Sequence, residues 1–286
     1  MKILILGAGG QLASDLVPAL SGHDVVEMPH AALDVTDSPH VAAALADYRP
    51  DVVVNTTAFH RVDDCEEQIG RAFAVNTVAV GTLARMCSAI SCALVHLSTD
   101  YVFAGDQTVP YPEAESPNPQ TVYGASKAAG EWLIRQQCPR HFIVRTSGLY
   151  GVAGASGKGG NFVNLMLRLA DEGKPIRVVA DQVLTPTSTR DLAGKIAWLL
   201  TTEAYGLYHI TNAGQCSWYE FAAQIFRLAG LAPDLSPTTT AAFGAKAKRP
   251  AFSVLAHDHL AALGADDLPL WPEALAAYLK AIGRLS

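Results

Sequence analysis

Five short runs rich in branched aliphatic residues, at positions 3–6, 24–27, 51–54, 93–97 and 142–145, recur through the first half of the chain, with helical patterns between them. They lack the polar alternation of a half-solvated strand, so each must be covered on both faces. A helix between consecutive strands leaves room for the crossover that parallel pairing needs. The pattern therefore predicts an α/β protein whose parallel sheet is doubly wound.

The first run ends in Gly7-Ala8-Gly9-Gly10-Gln11-Leu12-Ala13, and a helix is expected to begin near Leu12. Glycines at this turn let backbone N–H groups and the helix dipole approach a pyrophosphate, while Ala13 is small enough for helix-to-strand packing. Glycine loops also serve ordinary strand-to-helix turns. Here the loop is the first turn of an alternating chain, which predicts a Rossmann-type dinucleotide-binding domain over residues 1–150, with a returning strand near 176–186.

Beyond Gly151 the rhythm changes. Gly154, Gly157, Gly159 and Gly160 form a glycine patch, a helix is expected over 161–172 and strands over 176–180 and 207–210. Helices are expected again over 217–228 and 271–282. Residues 151–286 read as mainly a smaller, more irregular substrate-binding lobe.

Tyr123 and Lys127 stand four apart in a helical pattern and share one face. They follow Ser98 and Thr99, which close the fourth strand. Reducing a carbonyl generates an alkoxide that must be stabilised and protonated, and a phenol whose pKa is lowered by a nearby ammonium does both. A hydroxyl at the carboxyl end of a strand lies where open α/β sheets bind ligands. Y-x-x-x-K also arises on ordinary surface helices, so it is the order of glycine loop, strand-end hydroxyl and Y-x-x-x-K that points to hydride-transfer chemistry.

The second strand is followed by His30, and Asp34 lies further on, at a distance suited to the adenosine end of a dinucleotide or to capping the next helix. NADP(H) is favoured, with NAD(H) open. The chain of 286 residues carries a formal charge of −6 and offers no basic field for nucleic acid. No apolar run reaches the roughly 18 residues of a membrane-spanning helix. Cys65, Cys87, Cys92, Cys138 and Cys216 show neither C-x-x-C nor zinc spacing, so reduced thiols in a cytoplasm are expected.

Gly10-Gln11-Leu12, Leu33-Asp34-Val35, Ser98-Thr99-Asp100-Tyr101-Val102-Phe103, Tyr123-Gly124-Ala125-Ser126-Lys127, Arg145-Thr146-Ser147-Gly148-Leu149-Tyr150, Asn161-Phe162 and Arg249-Pro250 together resemble the dTDP-4-dehydrorhamnose reductases. These belong to the nucleotide-sugar branch of the extended short-chain dehydrogenase/reductases. The resemblance implies reduction of a 4-keto nucleotide sugar, with Thr99, Tyr123 and Lys127 catalytic. It implies cofactor contacts from Gly7, Gly9, Gly10, Gln11, Leu12, His30, Asp34, Val35, Thr57, Ala58, Tyr123 and Lys127. Ser98, Asp100, Tyr101, Asn161 and Arg249 would meet the substrate. Asn161 could instead cap a helix, and Arg249 could belong to a solvated cluster with Lys246 and Lys248. Asn76 is expected to be a buried polar residue, tied to the active site or simply hydrogen-bonded. A homodimer is also compatible with the family.

Three departures from the family pattern stand out. Many members carry tryptophan where this chain has Gly148, so the aromatic wall beside the sugar is missing or supplied by Tyr150 or Phe59. The segment His60-Arg61-Val62-Asp63-Asp64 differs from the commonest form. Magnesium, implied for some relatives, would use a carboxylate at Asp15, but Arg190 falls at or beside another ligand position, so no metal residue is assigned. A 4-epimerase, a 4,6-dehydratase and an NADP-binding regulatory subunit like that of methionine adenosyltransferase are the alternative readings.

Overall fold

In this computed structural model, residues 1–153 and 160–285 are described; Gly154, Gly157 and Gly159 of the expected glycine patch lie outside them. The first half runs β1 (Lys2–Ala8), α1 (Gln11–Ala19), β2 (Asp24–Pro29), α2 (Ser38–Tyr48), β3 (Val52–Asn55), α3 (Val62–Glu67), α4 (Ile69–Phe73), α5 (Ala79–Ala89), β4 (Ala93–Thr99), α6 (Val122–Gln137) and β5 (His141–Thr146). A π-helical segment, Ala74–Val78, joins α4 to α5. The second half runs β6 (Leu149–Tyr150), α7 (Phe162–Asp171), β7 (Ile176–Val179), β8 (Val183–Leu184), β9 (Thr187–Ser188), α8 (Thr189–Leu199), β10 (Gly206–His209), β11 (Cys216–Ser217), α9 (Trp218–Leu228), β12 (Leu235–Thr238), α10 (Thr240–Phe243), α11 (Asp258–Ala262) and α12 (Trp271–Ala281).

Six parallel strands form the central sheet in the order β10-β5-β4-β3-β1-β2. Successive residues of a strand face opposite sides. Ile3 and Ile5 accordingly pack with Leu12, Leu16, Leu192 and Ile196 of α1 and α8, whereas Leu4 and Leu6 pack with Val41, Leu83 and Ile134 of α2, α5 and α6. That two-sided burial is why the strands read as unbroken apolar runs.

The strand expected to return near 176–186 is instead β10. Among the described residues β7 pairs with β12 and not with the central sheet. β10, by contrast, pairs with β5 and forms the edge of that sheet. A separate core of Tyr150, Val163, Met166, Ile176, Phe221, Ile225 and Leu275 holds α7, α9, α12 and the β7/β12 pair together.

Helices α4 and α5 and the π segment form one continuous helical stretch, Ile69–Ala89, long and apolar enough by composition to cross a membrane, a span not anticipated from the sequence. Val80, Leu83, Ala84 and Cys87 from it are buried in the core on the α2 and α6 side, as in a soluble core helix.

Beneath the sheet tip, Arg145 of β5 donates to both oxygens of Glu131 on α6, at 2.9 and 2.6 Å, and Ser98 donates to the same carboxylate. Both ions are fully buried. Removing one partner strands the other charge, which costs about 3–5 kcal/mol. Arg145→Met is expected to lower the urea unfolding free energy by about that amount, with Glu131→Gln recovering part of it in the double variant. A loss below about 1 kcal/mol would mean that the pair does not anchor α6 to β5.

Candidate active site

The glycine loop closes with Gly10 N–H donating to Gly7 O at 3.1 Å, and Gly10 serves as the cap of α1 with no side-chain acceptor for the first N–H groups. Those donors are the orphans that an anion can satisfy. Gly9 has φ +85°, and a Cβ placed there would meet nothing within 4 Å. The loop thus has the open cradle that a pyrophosphate needs. Gly7, in contrast, is pressed against Thr56 and Thr57 of the β3 end. Gln11 lies beside the loop, while Leu12 is buried in the core, so Leu12 can offer only its backbone.

At the tip of β4, Thr99 donates to Asp100 Oδ1 at 3.0 Å and accepts from Tyr101 N–H, starting a 3-10 turn over Asp100–Val102. Helix α6 begins at Val122 because Thr121 accepts from Gly124 N–H and Glu66 accepts from Val122 N–H. Gly124 lies directly against this turn: an added Cβ would sit 2.0 Å from the Tyr101 carbonyl oxygen. That contact brings Tyr123 beside Thr99, whose hydroxyl acts on the phenol. The rings of Tyr101 and Tyr123 meet edge to face at 5.8 Å. Burial pushes the Tyr123 phenol well above its ordinary value; the Thr99 hydrogen bond opposes this and the Asp100 charge reinforces it.

One turn further along α6, Lys127 is almost wholly buried. Its Nζ donates to Leu97 O and lies 3.0 Å from His96 Nε2. Burial pulls its pKa down to about 8, with Glu131 opposing. The expected lowering of the Tyr123 phenol by Lys127 is therefore not what sets the phenol here. The amine is turned towards β4.

Asp100 is buried and accepts from Ser147 at 2.8 Å as well as from Thr99; burial raises its pKa, and the Ser253, Ser147 and Thr99 hydroxyls oppose that. It orients Thr99 from behind. Tyr101 is half-buried, its phenol is bonded to Arg249, and burial raises it to about 12. Arg249 also donates to Asp63 at 2.8 Å, and its buried Nε has no partner. Arg249 is thus turned towards Tyr101 and Asp63, whereas Lys246 pairs with Glu67 and Lys248 is exposed.

Other expectations are met differently. Ser98 faces the interior and donates to Glu131, so it is a structural donor and not a sugar contact. Asn161 caps α7 through Asn164 N–H, while its Nδ2 donates to Gly151 O, Tyr278 and Gln11; the capping alternative is the one realised. Tyr150 cannot supply the missing aromatic wall, because it is fully buried against Phe221 and Tyr278. Phe59 is half-buried with the Arg71 guanidinium 4.9 Å above its ring. At Gly148, φ is +58° and an added Cβ would lie 2.8 Å from Leu184, so a tryptophan cannot stand there on this backbone.

Asp34 accepts from Thr36 N–H and Oγ1, which lowers its pKa, and remains exposed, while Asp37 and not Asp34 caps α2. His30 is exposed just after β2; Val35 is half-buried against the core. Thr57 is fixed by Asn55, and Ala58 follows it, both half-buried at the β3 tip. Asp15 accepts from Thr189 across the α1–α8 contact. Asn76, in the π segment, clamps Phe59 by a pair of bonds at 2.9 and 3.0 Å and donates to Ser126, so it is tied to the site's wall.

Sequence reasoning missed Asn55, His96, Ser147, Ser253 and Asp63. His96 and Asn55 were detectable as lone polar residues in apolar strands. The serines and Asp63 act across long sequence separations and carry no local signal.

A family profile described as RmlD substrate binding domain matches residues 1–284. The chain is 40% identical over 281 residues to the spore coat polysaccharide biosynthesis protein SpsK of Bacillus subtilis, covering 98% of this chain and 97% of that one. It is also 40% identical over 288 residues to a dTDP-4-dehydrorhamnose reductase of Streptomyces griseus, covering 98% and 93%. A crystal structure of a dTDP-4-dehydrorhamnose reductase from Bacillus anthracis in complex with NADP matches with a TM-score of 0.94 and 37% identity, covering 98% of this chain and 99% of that one.

Gly9→Ala tests the cradle directly. A left-handed φ strains a non-glycine residue by about 1–2 kcal/mol, and the methyl enters the space left for the dinucleotide. NADPH affinity in a fluorescence titration is expected to fall about tenfold or more; an unchanged Kd would remove the loop from cofactor binding.

Proposed function

The chain belongs to the RmlD substrate binding domain family, and we propose that it is an NADPH-dependent reductase converting the 4-keto group of dTDP-4-dehydro-L-rhamnose to the alcohol of dTDP-L-rhamnose. The observation that carries this reading is the meeting of the Thr99 hydroxyl and the Tyr123 phenol at the carboxyl end of β4. The glycine cradle of β1 opens at the same end of the parallel sheet. When bound, the reduced nicotinamide supplies the hydride.

The rest of the chemistry falls to side chains. Tyr123 keeps its proton at neutral pH because burial raises the phenol, so it is the acid that delivers a proton to the developing alkoxide. Thr99, held by Asp100, donates to the same oxygen once its proton turns away from Asp100 Oδ1. Lys127 serves the ribose once it leaves Leu97 O. Arg249 and Tyr101 serve the nucleotide-sugar diphosphate, a role that the unpartnered Arg249 Nε supports. Gly7, Gly9, Gly10, Gln11, Thr57 and Ala58 line the dinucleotide, with His30, Asp34 and Val35 at its adenosine end. Residues 1–150 carry the cofactor and 151–286 mainly the substrate, although α8 and β10 return to the first layer. The five buried, free cysteines suit a cytoplasmic setting.

Purified protein mixed with the 4-keto nucleotide sugar, generated in place, is expected to consume NADPH stoichiometrically. Tyr123→Phe should lower kcat by about 10²-fold or more while NADPH still binds. Tight cofactor binding with no consumption of NADPH would favour the regulatory subunit, and sugar inversion without net oxidation would favour an epimerase.

A further inference from the structure

Two buried polar residues outside the sequence motif, Asn55 and His96, form a chain that ends on Lys127. Asn55 stands opposite His96 in the β3/β4 register, and its Nδ2 lies 3.2 Å from His96 Nδ1. The other face of the same imidazole, Nε2, lies 3.0 Å from Lys127 Nζ. Asn55 and His96 are essentially inaccessible to water.

The orientation of the Asn55 amide is not free. Thr57 donates to Asn55 Oδ1 from its backbone N–H at 3.1 Å and from its hydroxyl at 2.6 Å. A backbone N–H can only donate, so Oδ1 must face Thr57 and the NH₂ must face the imidazole. His96 Nδ1 is therefore an acceptor. A neutral imidazole with an unprotonated Nδ1 carries its proton on Nε2. That N–H points at Lys127, and an ammonium has no lone pair to receive it.

We propose that His96, with its tautomer locked by Asn55 and Thr57, is a positioning residue that holds Lys127 as a neutral amine when its Nζ lies between His96 and Leu97 O. The amine then accepts from His96 Nε2–H and donates to Leu97 O, which satisfies every contact that the structure gives it.

The charges around the site agree. Glu131, on the same helix, is the carboxylate that acts on Lys127, and both its oxygens are taken by Arg145 of β5, with Ser98 of β4 on one of them. From β3 the neighbour is the neutral Asn55. Burial lowers the pKa of Lys127 to about 8 and that of His96 well below its ordinary value. Gain of a proton by Lys127 consequently breaks its bond with His96 or flips the imidazole tautomer at the expense of Asn55. Either change frees the ammonium for a ribose hydroxyl, so that the charge appears where it is used. This inference rests on the proposed role of Lys127 in the reductase, but its first test does not.

The test is nitrogen-15 NMR of the histidine ring in cofactor-free protein at a pH well above 8. His96 should show a pyrrole-type, protonated Nε2 and a pyridine-type Nδ1. The opposite tautomer, or an imidazolium, would overturn the proposal whether or not the protein reduces any sugar. Asn55→Asp supplies a second arm, because a carboxylate can accept from both Thr57 and His96 Nδ1–H. It should reverse the tautomer and move the alkaline limb of kcat/KM upward by about one pH unit. In a His96→Leu background that added shift should largely vanish; an equal shift with and without the imidazole would mean that the carboxylate acts by charge alone and that His96 does not transmit it.

Discussion

Helix α6 lies against the turn after β4 and against the π segment with no side chain between them, and the site depends on that closeness. A Cβ on Gly124 would lie 2.0 Å from Tyr101 O, and one on Gly130 would lie 2.3 Å from Asn76 O. At the first point the helix start is pressed onto the turn that follows β4, so Tyr123 reaches Thr99. At the second it is pressed onto the π segment, whose widened turn aims Asn76 at Phe59 and Ser126. A larger residue at either point would lift the phenol and the amine away from the strand ends together.

That packing brings an unusual amount of polarity into the interior. Asn55, His96, Ser98, Thr99, Asp100, Arg145 and Ser147 are all buried at or near the ends of β3, β4 and β5. Buried polar groups are costly unless bonded, and here they bond mostly to one another: Arg145 and Ser98 to Glu131, Ser147 and Thr99 to Asp100, Asn55 to His96. The networks have separate tasks. One anchors α6 to β5, one orients the Thr99 hydroxyl, and one sets the proton on Lys127. The C-terminal lobe is tied in through Asn161 to Gln11 and through Thr189 to Asp15, so its position follows that of the glycine loop.

Much of this was legible in the sequence because it is local. Unbroken apolar runs gave strands β1 to β5 to within a residue or two, and the glycine loop, the Thr99 hydroxyl and the Tyr123/Lys127 spacing each sit within one or two elements. What was misread depends on partners far along the chain. Ser98 was expected beside the sugar along with its neighbours, yet adjacent residues of a strand point to opposite faces and Ser98 meets Glu131. Tyr150 looked available as an aromatic wall, but α9 and α12 close over it. The sixth strand was misplaced because 176–179 and 206–209 are equally short, and only pairing separates them. The placing of Lys127 on the Tyr123 face of α6 was legible, but its partner was not, because His96 reaches it from a strand that otherwise reads as plain core.

The account stands on direct delivery of hydride to a carbonyl held between Tyr123, Thr99 and the dinucleotide cradle. The most direct measurement follows NADPH carrying deuterium at the transferring position of its nicotinamide through turnover with the 4-keto nucleotide sugar. The account predicts one deuterium at sugar C4 in the product and a slowed transfer step. Label retained by the dinucleotide, or product made without it, would contradict the account.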